Sequence, residues 1–203
     1  ITVRIENDGL LLLERVVPGI SLKAYFSVND HDATHITCEC LKRLHKAPIP
    51  DDHHFPHIKD WLTALDNNLN VPDHYLHKAR QLRDELIMTA SAPVLLHGDL
   101  HHDNILQNND DWLAIDPKGV IGDPAYEVAA FIRNPIPELL AHNNAAHIID
   151  SRINQFAENL KLSKQRILDW CYVQAVLAWA FTLEDNGDIT YFKKLTELFN
   201  RCS

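Results

Sequence analysis

Apolar residues recur along this chain first at strand spacing, then at helix spacing, and then briefly at strand spacing again. Residues 2–6 and 10–15, on either side of Asn7-Asp8-Gly9, read as two strands joined by a tight turn that glycine can supply. Pro18-Gly19 then breaks the chain. From Asn29 or Asp30, both capping residues, to about residue 46, the apolar positions Ile36, Cys40, Leu41 and Leu44 recur at helical spacing. Ile58, Trp61, Leu62, Leu65 and Leu69 mark a second helix. Pro72 at a first helical turn opens a third, which carries Leu76, Leu82 and Leu86 to about Ala90.

The texture then changes. Residues 94–96, 104–106 and 112–115 are apolar runs too short for helices, separated by polar turns, and they read as small strands. After Asp123-Pro124, an N-cap followed by proline at the first helical position, helices are expected at about 124–132, 136–160, 164–184 and 188–201. The result is an α+β chain, a mostly helical lobe with a small β-hairpin at its centre and no internal repeat.

Composition narrows the function classes. The 203 residues are 46% hydrophobic, enough to fill a sizeable core, and their formal charge of −9 argues against a nucleic-acid binder while suiting a cationic small molecule. Cys38, Cys40, Cys171 and Cys202 form neither a C-x-x-C pair nor a regular framework, so a reducing, cytoplasmic setting is expected. The most apolar run, residues 170–183, is interrupted by Gln174 and is shorter than the ~20 residues of a membrane span, so it reads as a core helix and no membrane partner is expected.

The candidate chemistry lies in the central strands. His97-Gly98-Asp99, then Asn104, then Ile115-Asp116 set an acid, an amide and a second acid at the tips of short apolar strands. Metal-assisted phosphoryl transfer needs this arrangement: Asp99 to orient an attacking hydroxyl and accept its proton, Asn104 and Asp116 to offer oxygens to the hard Mg²⁺ that neutralises nucleotide phosphates. His97 is read as a brace for the loop, and Asp123 and Glu127 as capping and bracing groups at a helix N-terminus. Lys118 is a candidate phosphate contact. Glu184, Asp185 and Asp188 cluster at a helix end where the dipole disfavours acids, so they are candidates for holding a cationic acceptor, against the alternative of a solvated turn. Trp61, Trp112, Trp170 and Trp179 are read as core residues, Trp179 alone lying near the acceptor side. A rival reading takes His97, Asp99, His101, His102 and Asp103 as ligands of a metal-dependent hydrolase.

His97-Gly98-Asp99-x4-Asn104, Ile115-Asp116 and Gly122-Asp123-Pro124-Ala125-Tyr126-Glu127-Val128-Ala129 together resemble the aminoglycoside and hydroxyurea antibiotic resistance kinase family. Residues 10–22 resemble that family's strand and hinge, and residues 177–187 its late helix and turn. The resemblance implies the protein-kinase-like fold, ATP as co-substrate with Mg²⁺, and a small polar acceptor such as streptomycin or hydroxyurea. It also implies that residues 1–19 are the end of a small lobe and hinge, where Glu14 and Arg15 meet adenine through backbone groups, and that residues 20–203 are the large lobe. The nine residues before the hinge-like segment hold no Gly-rich loop and no strand lysine, so a truncated chain, inactive by itself, is expected. The second class of reading is a non-catalytic lobe that binds a ligand or partner without turnover.

Overall fold

The computed structural model of the chain describes residues 3–5, 11–52, 54–67 and 69–202. Strand β1 (Val3–Ile5) pairs antiparallel with β2 (Leu11–Leu13), and the expected turn at residues 7–9 lies outside the described residues. β3 (Pro18–Ser21) follows, then a 3₁₀ turn at Leu22–Tyr25 and helices α1 (Asp30–Leu44), α2 (Ile58–Leu62) and α3 (Asp73–Met88). Four short strands come next, β4 (Val94–Leu96), β5 (Ile105–Asn108), β6 (Asp111–Ala114) and β7 (Val120–Gly122). The remainder is helical: α4 (Pro124–Ile132), α5 (Glu138–Ala141), α6 (Ala145–Leu160), α7 (Lys164–Glu184) and α8 (Thr190–Cys202).

The helices at 124–132 and 164–184 fall where their caps place them. Asp123 accepts from the Ala125 N–H with Pro124 at the first helical position, and the Ser163 hydroxyl accepts from Arg166 N–H. Three expectations are corrected. Pro18-Gly19 does not end regular structure but begins β3, an edge strand of the β3-β5-β6 sheet, where a missing N–H is tolerated and Gly19 takes φ +75°. The helix expected over 136–160 is two, because the chain turns extended at His142 before α6 starts. The helix running to Leu69 ends at Leu62 and passes into a 3₁₀ turn, Thr63–Asp66.

The core is organised around α7, which is packed by α3, α4, α6 and α8 and buries Trp170, Tyr172, Val173, Val176 and Ala180. A helix covered on most sides is apolar nearly all round, which explains why its sequence has no one-sided stripe. A second tie is polar. Arg152 in α6 is fully buried, grips Asp30 of α1 through Nη2 and Nε (2.6 and 2.9 Å), and donates to the carbonyls of Phe131 and Ile132 at the end of α4 and of Asn134 just beyond it. Such a charge is stable inside only because its donors are taken up. No described helix is long and apolar enough to cross a membrane. Cys38, Cys40 and Cys171 are buried free thiols, and burial pushes Cys38 up to about 12.

Candidate active site

Two antiparallel ladders are nested. The outer one pairs β4 with β7, ending at Leu96↔Val120; the inner one pairs β5 with β6, beginning at Ile105↔Ala114. The two stretches left between them, residues 97–104 and 115–119, must therefore face each other. Backbone bonds stitch them: Lys118 N–H and Gly119 N–H donate to His97 O (2.8 and 3.3 Å), and Ile115 N–H donates to Asn104 O (2.9 Å). Asp99 and Asn104 thus stand on one loop, and Asp116 stands on the loop opposite. Gly98 and Gly119 (φ +84° and +64°) make the bends that bring the loops this close.

His97 is the brace the sequence suggests. Its ring is buried, Nε2 donates to Ile115 O (2.7 Å) across the two loops, and Nδ1 accepts from Asp99 N–H (3.3 Å). That pattern fixes one neutral tautomer, and burial holds the ring below its usual pKa, so His97 is not placed to act as a base. Beneath the loop, the Glu127 carboxylate in α4 accepts from the N–H groups of His97 (2.6 Å) and Gly98 (3.1 Å), with Leu100 N–H adding to the same end. Burial nevertheless outweighs these donors and pushes Glu127 up to about 7. The N-terminus of α4 is held in turn, since buried Asp123 takes Arg166 (2.5 Å) and the Trp170 indole N–H (2.8 Å).

Asn104 is nearly buried, and its Nδ2 donates to the backbone oxygen of Asp99 (2.9 Å), which leaves its carbonyl oxygen as the group to offer a cation. Asp116 adopts φ +54°, a conformation Asp tolerates, and its Oδ2 lies 3.1 Å from Lys118 Nζ. An amide oxygen and a carboxylate on facing loops form an all-oxygen donor set, which fits Mg²⁺. The histidines do not converge in the way the hydrolase reading requires. His97 is committed to Ile115, His102 is buried and stacked on Phe131 (3.9 Å between ring centres), and His101 caps the 3₁₀ turn that carries Asn104. Among the described residues no three His, Cys, Asp or Glu side chains come together as a metal cage.

Asp99 is part-exposed and flanked on both oxygens, Arg133 Nη2 lying 3.7 Å from Oδ1 and His101 Nε2 lying 3.9 Å from Oδ2. Arg133 also lines a recess of about 280 Å³ with Trp61, Tyr126, Gln174, Leu177 and Phe181. Trp61 packs against the core, as read from the sequence, and also lines the recess, while Trp179, likewise read as core, is buried against Tyr75 (5.6 Å). Glu184, Asp185 and Asp188 do not line it. They are exposed, and Glu184 and Asp185 lie one turn beyond Phe181 on the same helix face, while Asp188 caps the entry to α8 through Thr190 N–H (2.9 Å). Glu14 and Arg15 are exposed just after β2. Sequence reading missed Arg133 and Gln174. The signal for Gln174 was its position as the one amide inside the apolar run 170–183.

The sequence profile of the aminoglycoside/hydroxyurea antibiotic resistance kinases matches residues 1–186. Among curated relatives, a streptomycin 3''-kinase of Klebsiella pneumoniae is 29% identical over 180 residues, 84% of this chain and 64% of that protein. A streptomycin 6-kinase of Streptomyces griseus is 24% identical over 188 residues, 89% of this chain and 60% of that protein. The chain therefore spans somewhat under two thirds of the length of these relatives. Among solved structures, a thermostable mutant of the aminoglycoside phosphotransferase APH(4)-Ia, in ternary complex with AMP-PNP and hygromycin B, superposes with a TM-score of 0.64 at 15% identity, covering 99% of this chain and 74% of that one, so the fold is protein-kinase-like. With its acid, amide and second acid on two stitched loops, its fold and its profile all in agreement, the chain belongs to the aminoglycoside/hydroxyurea antibiotic resistance kinase family.

Proposed function

We propose that this chain carries the metal-binding and acceptor-binding part of a kinase that moves the γ-phosphoryl group of ATP to a hydroxyl of a small polar molecule, an aminoglycoside of the streptomycin kind. The observation that supports this most is the pair of facing loops, which sets Asp99 beside Asn104 and across from Asp116. Asp99 orients the acceptor hydroxyl and takes its proton. Asn104 and Asp116 hold Mg²⁺, whose bound charge offsets that of the phosphates. Lys118 reaches from beside Asp116 toward the phosphates. Glu14 and Arg15 belong to the hinge, where backbone groups meet adenine, and residues 1–19 are the end of the small lobe. Glu184, Asp185 and Asp188 attract a cationic acceptor to the recess mouth, consistent with the chain's charge of −9. The buried free thiols fit a reducing, cytoplasmic setting.

Little covalent chemistry is left to the protein in such a reaction, so rate comes from positioning and electrostatic stabilisation. The test is transfer of label from γ-labelled ATP in the presence of Mg²⁺, using the protein in its full natural length. The expected result is phosphorylation of streptomycin well above hydroxyurea. Phosphorylation of hydroxyurea alone would overturn the acceptor, and transfer to neither would overturn the kinase reading.

A further inference from the structure

The proposed base has a neighbour outside the set of Asp99, Asn104 and Asp116. Arg133 follows α4, its N–H bonds to Ala129 O at the helix end, and its carbonyl accepts from Tyr191 OH in α8 (2.6 Å), so its backbone is fixed from two sides. Its guanidinium is fixed as well. Nη1 donates to Gln174 Oε1 (2.6 Å), and Gln174 is nearly buried with its Nε2 donating to Tyr126 O (2.7 Å). Both ends of that amide are used, which is the condition for a buried glutamine to be stable in the middle of an apolar helix. What the amide accomplishes is to aim Nη2 at Asp99 Oδ1, 3.7 Å away.

Resting on the kinase reading above, we infer that Arg133 is a positioning residue for Asp99, set in place by Gln174. The guanidinium is a planar fork whose nitrogens cannot move independently, so fixing Nη1 on Gln174 fixes where Nη2 points. At 3.7 Å the contact to Asp99 is a charge contact, too long for a hydrogen bond. It holds the carboxylate in one rotamer between Arg133 and His101 while leaving it able to close on an acceptor hydroxyl, as catalytic hydrogen bonds that are long in the free enzyme do when substrate binds. Because Arg133 and Gln174 also line the recess, the rotamer of the base is tied to the wall against which the acceptor rests.

Arg133→Met, Arg133→Lys and Gln174→Met test this by two readouts. In turnover, Arg133→Met is expected to lower kcat by ~10- to ~10²-fold, the scale of a misplaced reacting group, with KM for ATP changed less than ~2-fold. Arg133→Lys, which keeps the charge, restores part of the loss, and Gln174→Met, which frees the guanidinium, gives a smaller fall in kcat of the same kind. An unchanged kcat in Arg133→Met overturns the inference, as does a fall that tracks lost thermal stability and is not rescued by lysine. If Arg133→Met does not fold, Gln174→Met decides alone: an unchanged kcat overturns. The second readout needs no turnover: the three-bond couplings of the Asp99 β-protons are expected to report one rotamer in the natural protein and an average in Arg133→Met. Couplings unaltered by the substitution overturn the role of Arg133 even if no acceptor is ever phosphorylated, so its failure is separable from that of the kinase reading.

Discussion

The reacting groups and the recess beside them are assembled over very different lengths of chain. Asp99, Asn104 and Asp116 all lie within residues 97–119, on two loops clamped at one end by the β4–β7 ladder and at the other by β5–β6. The recess draws Trp61 from α2, Tyr126 and Arg133 from α4 and its end, and Gln174 and Phe181 from α7. The first region is held by backbone hydrogen bonds between the facing loops, with the His97 ring between them and Glu127 beneath. The second depends on side chains meeting across the core. On the proposed reading, chemistry is thus carried by a hairpin stitched over a short stretch of chain and acceptor choice by the recess, with Arg133 and Gln174 as the recess residues that also bear on Asp99.

The largest effect that would sharpen this contrast is at the hairpin. Asp99→Asn keeps the shape and removes the carboxylate, so kcat is expected to fall by at least ~10²-fold with nucleotide affinity nearly unchanged. Asp116→Asn, on the facing loop, should weaken Mg²⁺-dependent nucleotide binding and turnover together. Equilibrium nucleotide binding and steady-state rates for both variants check this. A near-normal rate in Asp99→Asn on a proven acceptor would remove Asp99 from its role.

A smaller effect tests whether the hairpin is braced from below by one buried acid. Folded Glu127 titrates at about 7 against the ordinary 4.5, so the folded protein holds this proton to higher pH than the unfolded chain does. Its contribution to stability is fully present below about 4.5 and is lost as pH rises through about 7. Glu127→Gln is expected to flatten that slope of stability against pH, followed by thermal melting. The amide signals of His97 and Gly98 in the natural protein should shift together with a midpoint near 7, following Glu127. Amide signals that do not titrate there would show that the carboxylate stays ionised.

The smallest effects belong to the recess. Trp61→Ala is expected to raise the acceptor KM about 10-fold, as loss of a well-buried aromatic contact can, with kcat little changed. Asp185→Asn at the recess mouth should raise it only about 2-fold, and added salt should erase that difference, since exposed charges are screened. If instead Trp61→Ala acted on kcat as strongly as Asp99→Asn, the division between chemistry and acceptor binding would collapse.

The hairpin was legible in the sequence because its signals are local. His97-Gly98-Asp99, the spacing to Asn104 and the apolar strand before Asp116 can be recognised within a few residues of one another, and Asp123-Pro124 marks the start of α4 for the same reason. The errors came where a neighbour decides. β7 was not foreseen because Val120-Ile121-Gly122 is three residues long, and only its partner β4 makes it a strand; an added Cβ at Gly122 would stand 2.6 Å from Ile58 of α2, a closeness no local rule reveals. That Trp61 lines the recess as well as packing on the core was not foreseen, because periodicity shows that an aromatic faces inward but not what its outer edge borders.

By itself the sequence determined the helical lobe with its catalytic hairpin, the acid, amide and acid that the hairpin carries, and the family to which they point. Those follow from hydrophobic period, capping and short-range spacing, all properties of neighbouring residues. Only the tertiary structure decided that Glu127 lies beneath the loop, that Gln174 aims Arg133 at Asp99, and that the acids after Phe181 stand outside the recess and do not line it. Those contacts join α4, α7 and the loops across the core, and their energy arises from burying polar groups that must find partners there. Which partner each one finds is set by the packing of whole helices.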